Sequence, residues 1–234
     1  SDLWKKSTCD RFHIDDDVLI SILTDLRKPK KALKPDFKSI EADVLGHAYE
    51  TFLGSLRTGR FKEKEDVGKR KKEGIYYTPK YIVDFIVDNT VRAYIKDKSF
   101  DEIKNVKVLD PACGSGSFLI RALEVLIQES EKRLKKALTY EQKRELVLNC
   151  IYGVDLDHKA VSIARFNLML RLAERHKPLP ELDENIKRGN SLIDDRKVAK
   201  FSAFVWEEEF SHILKTGKFQ IVIARDDNID TIGK

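Results

Sequence analysis

The stretch Val108-Leu-Asp-Pro-Ala-Cys-Gly-Ser-Gly-Ser-Phe-Leu119 constrains the fold of this chain more than any other part of its sequence. A short apolar run closed by an acid enters a turn of small residues, and the turn opens an apolar-periodic stretch. That is a strand running through a tight loop into a helix. Gly114 and Gly116 permit backbone conformations closed to other residues, so a ligand can approach the main chain closely. The amides that start the helix point toward the same place. A tight strand-to-helix turn with no ligand is the alternative reading.

Around this loop, strand-like and helix-like patterns alternate. Strands are expected at 106–110, 151–155, 185–190 and 219–223, with helices at 117–137, 141–149 and 159–175. Alternation of this kind implies a parallel, doubly wound sheet, with ligands held at the carboxyl ends of its strands. Thr78-Pro79 reads as a helix start, a hydroxyl N-cap followed by proline, and the helix carries Ile82, Phe85, Ile86 and Tyr94 on one side. Asp157 is expected to N-cap the helix after the second strand.

Before residue 74 the texture differs. Segments 18–26 and 41–53 read as helices, 28–35 as a basic linker broken by two prolines, and 60–73 as a charged, solvated loop. Two regions are therefore expected, a helical region with basic linker over 1–73 and an α/β domain over 74–234.

Composition excludes several classes. Hydrophobic residues make up 41% of the 234, enough for a packed core. No apolar run approaches the roughly 18–20 residues of a membrane helix, so no membrane partner is expected. Cys9, Cys113 and Cys150 are an odd, widely spaced set, which argues against a disulfide framework and for a reducing, cytoplasmic location. The five histidines lack ligand spacing, and no metal is expected. The net charge of +5 permits a nucleic-acid partner without arguing for one. Ser1 in place of a starting methionine makes a processed chain or a fragment the expectation.

The loop itself narrows the ligand. There is no G-x-x-x-x-G-K-[ST], which removes a phosphate-cradling P-loop. The third glycine of G-x-G-x-x-G is absent, and Asp155 lies 39 positions after Gly116, against about 20 in a dinucleotide fingerprint. Asp110, at the strand end, repels a pyrophosphate and attracts an ammonium. A ligand with a cationic amino-acid end and a ribose end suits these residues. S-adenosyl-L-methionine is such a ligand.

Asp110-Pro-Ala-Cys-Gly-Ser-Gly-Ser-Phe-Leu119 resembles the cofactor motif of the adenine-N6 DNA methyltransferases, in particular type I modification subunits and fused type II restriction–modification enzymes. Gly74-Ile-Tyr-Tyr-Thr-Pro79, Ile151-Tyr-Gly-Val-Asp-Leu-Asp157 and Arg188-Gly-Asn-Ser-Leu-Ile193 resemble three further motifs of that family, in its order. Asp43 to Gly54 is similar to its helical lead-in. The resemblance implies the Rossmann-like sheet of a class I methyltransferase, here about four strands preceded by a helical region. It implies that Tyr77, Thr78 and Pro79 shape the methionine pocket and that Asp110 faces the ammonium. Ala112, Gly114, Ser115 and Gly116 would offer backbone contacts, with Phe118 packed beneath. Asp155 would accept the ribose hydroxyls, Leu156 lie on the adenine face and Asn190 bond the adenine edge, provided its amide oxygen turns toward the amino group. Simpler readings stay open: Asp155 as an ordinary strand-end acid, Tyr77 as core. Cys113 reads as a small loop residue rather than a nucleophile, for want of a base.

The family's catalytic tetrapeptide, Asn- or Asp-Pro-Pro-aromatic, follows its fourth strand. Here that place holds Arg225, Asp226, Asp227 and Asn228. Arg225 has no side-chain acceptor, and both prolines and the aromatic are missing. The expectation is a cofactor-binding part of such an enzyme without a methyl-transfer centre, with double-stranded DNA and specificity or restriction subunits as partners implied by the family. A non-catalytic binding module, and a methyltransferase of RNA, protein or a small molecule, are the competing readings.

Overall fold

A computed structural model describes residues 78–224. The readings of 18–26, 28–35, 41–53 and 60–73, of Tyr77, and of Arg225 to Asn228 lie outside the described residues.

The first helical stretch comprises α1 (Lys80–Val87), a π turn (Asp88–Arg92) and α2 (Ala93–Ile95). Pro79 is the N-cap, and its carbonyl accepts the Ile82 and Val83 N–H groups. The helix thus starts one residue later than the hydroxyl-then-proline signal predicts. Proline loses nothing there, since its missing N–H would have no helical partner. The buried face also differs from the predicted one. Val83, Val87, Val91 and Ile95 are buried, whereas Phe85 is 69% and Tyr94 42% exposed. The buried set repeats every four residues, a spacing that the π turn accommodates and an uninterrupted α-helix does not.

A short helix, α3 (Phe100–Ile103), follows, started by a capping box between Ser99 and Glu102. Then come β1 (Val108–Asp110), α4 (Ser117–Leu134), α5 (Tyr140–Cys150), β2 (Ile151–Asp155), α6 (His158–Leu172) and β3 (Ile186–Arg188). Asp157 is the N-cap of α6, accepting the Lys159 N–H at 2.9 Å as its sequence position predicts. The chain continues through α7 (Arg196–Ala199), α8 (Trp206–Glu209) and α9 (Ser211–Leu214) to β4 (Ile221–Val222). The strands match the expected positions but are shorter at the first, third and fourth.

All described pairings are parallel, in the order β3-β2-β1-β4. This is the expected α/β, doubly wound arrangement with β1 central. Val108 pairs with Ile151 and Leu109 with Tyr152, so alternate side chains enter two separate cores. One core lies under α1, α4 and α6 and holds Val108, Leu119, Leu123, Leu126, Ile151 and Leu168. The other holds Leu109, Tyr152 and Val154 against Phe204, Phe210 and Ile213. Both faces being covered explains why β1 and β2 are apolar almost throughout. Among the described residues β4 pairs only with β1, and Val222 is exposed.

Candidate functional site

Parallel pairing puts the ends of β1, β2 and β3 at one edge of the sheet, and the loops that follow them meet there. Asp110 is opposite Gly153, and Asp155 is opposite Arg188. The loop after β1 turns back on its own acid, with the Ala112 amide donating to Asp110 Oδ1 at 3.0 Å. It then fastens to β2: the Cys113 N–H donates to the Val154 carbonyl at 2.9 Å, and the Gly114 N–H to Asp155 Oδ2 at 2.8 Å. Gly114 and Gly116 have φ of 52° and 91°, in the left-handed region that glycine permits. Gly116 also lies against α6, where an added Cβ would sit 3.1 Å from Ala164 Cβ.

Asp110 is the most unusual group in the site. It is 1% exposed, and its Oδ2 has no hydrogen-bond partner. Burial pushes its carboxyl up to about 7, an effect offset in part by the Ala112 amide and reinforced by the charge of Asp155. Asp155 is also held above its ordinary value, chiefly by burial, although the amides of Asp157 and Gly114 oppose the rise. Two carboxylates thus sit at adjacent strand ends in a dry place, one of them with an oxygen that lacks a donor. A cationic group is the chemistry that completes such a site. The orphaned Oδ2 fits the ammonium of S-adenosyl-L-methionine, and the paired Asp155 retains acceptor capacity on both oxygens. Cys113 is buried beside these acids, and burial and their charges push its thiol well up. It is no nucleophile.

The other predicted site residues distribute as follows. Thr78 is buried, and Pro79 caps α1. Ala112 is exposed, Ser115 is buried, and Phe118 packs into the core beneath the loop. Leu156 is 53% exposed beside Asp155. Asn190 follows β3, and its Oδ1 accepts the Leu192 N–H at 3.1 Å. The oxygen expected to face an adenine amino group is therefore engaged in a local turn.

Several residues that support the site escape a reading by motif. Asn167, fully buried on α6, donates from Nδ2 to the Ser115 carbonyl at 3.2 Å and so braces the loop. Gly153 leaves room for Leu119 and Cys113, which an added Cβ would meet at 2.7 and 3.0 Å. Arg188 donates to the Leu156 carbonyl at 3.2 Å, and Trp206 Nε1 to the Ser191 carbonyl at 3.1 Å. An asparagine inside an apolar helix face is a signal that could have been found; the others depend on contacts between distant elements. A groove of about 690 Å³ opens at the opposite, amino edge of the sheet, between Lys107, Tyr152, Glu181 and His212. It is remote from the glycine loop, and several of its polar groups are already engaged: Asp183 with Arg165, Glu184 with Lys187, and Asn185 Nδ2 with the carbonyls of Leu148 and Ile151.

Comparisons with known proteins place the chain in a family. Residues 40–229 match the sequence family described as N-6 DNA Methylase. The chain is 37% identical over 202 residues to the Escherichia coli type II restriction enzyme and methyltransferase RM.Eco57I, covering 74% of this chain and 20% of that protein. It is 30% identical to a putative type II restriction enzyme and methyltransferase, RM.MjaORFECS2P of Methanocaldococcus jannaschii, covering 76% of this chain and 19% of that one. The chain thus spans about a fifth of the length of these curated relatives. Among solved structures, a nuclease-deletion mutant of the Type ISP restriction–modification enzyme LlaGI, in complex with a DNA substrate mimic, aligns with a TM-score of 0.50 and 17% identity. The alignment covers 87% of this chain and 17% of that one, and it supports the fold.

Proposed function

This chain belongs to the N-6 DNA methylase family, and from that premise we propose that residues 78–224 form the S-adenosyl-L-methionine half-site of an adenine-N6 DNA methyltransferase of a restriction–modification system. The observation that carries the reading is Asp110, a buried strand-end carboxylate with an orphaned oxygen next to two left-handed glycines. Asp110 holds the ammonium, and the glycine loop offers close approach of its backbone, since the Gly114 and Gly116 amides are already bonded to Asp155 and to the Cys113 carbonyl. Asp155 takes the ribose hydroxyls while keeping its two amide bonds, and the exposed Leu156 covers the adenine face. Asn190, its oxygen engaged with Leu192, meets the adenine edge through its Nδ2 donor, which suits a ring nitrogen rather than the exocyclic amino group. Thr78 and Pro79 border the methionine end, and the family motif assigns Tyr77, outside the described residues, to the same role.

The bound cofactor would supply an electrophilic methyl group; the chain's task is to hold and orient it, since positioning is a large part of a two-substrate transfer. Double-stranded DNA is the proposed substrate, with specificity and restriction functions supplied by other domains or subunits. The sequence after β4, Arg225-Asp-Asp-Asn228, lacks acceptor, prolines and aromatic at the positions where the family tetrapeptide falls. Methyl transfer by this chain is therefore expected to stay at background.

Retention of labelled S-adenosyl-L-methionine in equilibrium dialysis tests the assignment. S-adenosyl-homocysteine should displace the label and NAD or ATP should not. No retention, or displacement by NAD, would overturn it.

A further inference from the structure

The helix beginning at Lys80 and the helix beginning at Ser117 run side by side in the same direction, and a line of charges sets their register. Arg121 Nε lies 2.8 Å from Asp84 Oδ1 as an ion pair without hydrogen-bond alignment, and its Nη2 donates to Asp88 Oδ1 at 3.2 Å. Asp88 Oδ1 also takes Arg92 Nε at 3.0 Å, and Arg92 Nη1 reaches Glu129 Oε1 at 2.5 Å. Farther along, Arg133 holds Glu129 at 2.7 Å and donates to the carbonyls of Ile95, Lys96 and Lys98. Partners rise together along both helices, which makes the two parallel. Asp84 is the fifth residue of α1 and Arg121 the fifth of α4. Their pairing therefore sets the two helix starts level, Thr78-Pro79 beside the glycine loop.

The π turn makes this ladder possible. An α-helix turns about 100° per residue, so residues spaced by four drift, and three such steps leave the last about 120° from the first. Val83, Val87, Val91 and Ile95 are nevertheless all buried on one face. The ladder residues Asp84, Asp88 and Arg92 have the same spacing, one position later. The π turn spends an extra residue on one turn and so cancels much of the drift. Its sequence, Asp-Asn-Thr-Val-Arg, is poor in helix formers, and two of its side chains bond back to the turn before. Asn89 Nδ2 donates to the Phe85 carbonyl and Thr90 Oγ1 to the Ile86 carbonyl, each at 2.7 Å. The Ala93 N–H reaches back five residues to the Asp88 carbonyl.

We propose that Arg121 is a positioning residue for the methionine end of the cofactor, acting through Asp84 and Asp88 to hold Thr78-Pro79 level with the glycine loop. Arg121 itself touches no ligand. Its ties continue through Glu124, 3.6 Å away, to Arg171 of α6 at 2.9 Å, so three helices share the fixing. This inference rests on the cofactor assignment above and adds to it how Thr78-Pro79 is held in place.

The test compares two ligands on the full chain by calorimetry: S-adenosyl-L-methionine, and 5′-methylthioadenosine, which has the adenosine but lacks the amino-acid end. Arg121→Met should weaken S-adenosyl-L-methionine by about tenfold or more while leaving 5′-methylthioadenosine within about twofold. Arg121→Lys, which keeps the charge and loses the fork, should fall between, and it serves as the informative variant if Arg121→Met does not fold. Unchanged S-adenosyl-L-methionine affinity in both variants would overturn the proposal. So would equal weakening of the two ligands, the mark of a merely structural residue. A wild-type chain that binds neither ligand would overturn the cofactor assignment and this inference with it.

Discussion

The Asp155 carboxylate accepts the Gly114 amide at 2.8 Å, tying the end of β2 to the loop after β1. Its other oxygen accepts the Asp157 amide at 2.8 Å, at the start of α6. One side chain therefore organises two loops before any ligand is considered. Asp155→Ala leaves two part-buried amides without acceptors and is expected to cost about 1–3 kcal/mol in urea unfolding. Cofactor retention should be lost at the same time. Asp155→Asn, which keeps an acceptor oxygen, should recover much of the stability but little of the binding.

Asp110 makes the stability of the ligand-free chain depend on pH in an unusual direction. A carboxyl raised from 3.8 to about 7 by folding holds more protons folded than unfolded. Its cost is absent at pH values below about 4 and grows as pH rises to about 7. Asp110→Asn removes that cost, at most about 4 kcal/mol. Thermal unfolding should find the variant more stable than wild type at pH 8, with the gap closing toward pH 4. A gap that widens as pH falls would contradict this account of the buried carboxyl.

Gly116→Ala should destabilise on two counts, a φ of 91° and a Cβ 3.1 Å from Ala164 Cβ. The expected cost is about 1–3 kcal/mol by denaturant unfolding. Ala164→Gly has a cost of its own inside α6, but it removes the closest contact, so the double variant should lose less than the sum of the two single losses.

How much of this was legible in the sequence depended on whether the determinants were local. Gly114 and Gly116 were legible because two glycines in a short turn after a strand mark left-handed backbone without reference to any distant partner, and Asp110 because it closes that strand. Asp157 capping α6 is equally local. The strand positions and the parallel sheet required only alternation and an apolar pattern; the strand order is set by pairings between distant segments. The buried face after Pro79 was misread: Ile82, Phe85 and Ile86 share one side of a regular helix but Tyr94, nine residues after Phe85, falls on the opposite side, and the real face follows a spacing of four that a π turn permits. Asn167 stands out locally as a polar residue on an apolar helix face, but its partner lies 52 positions away, and Trp206 acts on a residue 15 positions away with no local mark at all. The engagement of Asn190 with Leu192 is local, but the cofactor motif drew attention to the ligand side of the amide instead.

Glu129 offers a test of the helix ladder that needs no ligand. Burial alone would raise its carboxyl, but Lys132, Arg133 and Arg92 outweigh that and bring it to about 2. A carboxyl lowered on folding stabilises above its unfolded value of 4.5, and the contribution fades as pH falls from there toward 2. Glu129→Gln should therefore cost about 1–2 kcal/mol at pH 7 in urea unfolding and much less near pH 2.5. A pH-independent cost would assign the loss to packing.

Calorimetric titration of the full chain with S-adenosyl-L-methionine at pH 6.5, in buffers of different ionisation enthalpy, tests the central claim most directly. If the ammonium meets Asp110, binding drives that carboxyl from about 7 back toward the ordinary carboxylate range. Wild type should then release roughly three-quarters of a proton per ligand bound, and Asp110→Asn should release none and bind more weakly. No heat of binding, or the same proton release from both proteins, would contradict the account.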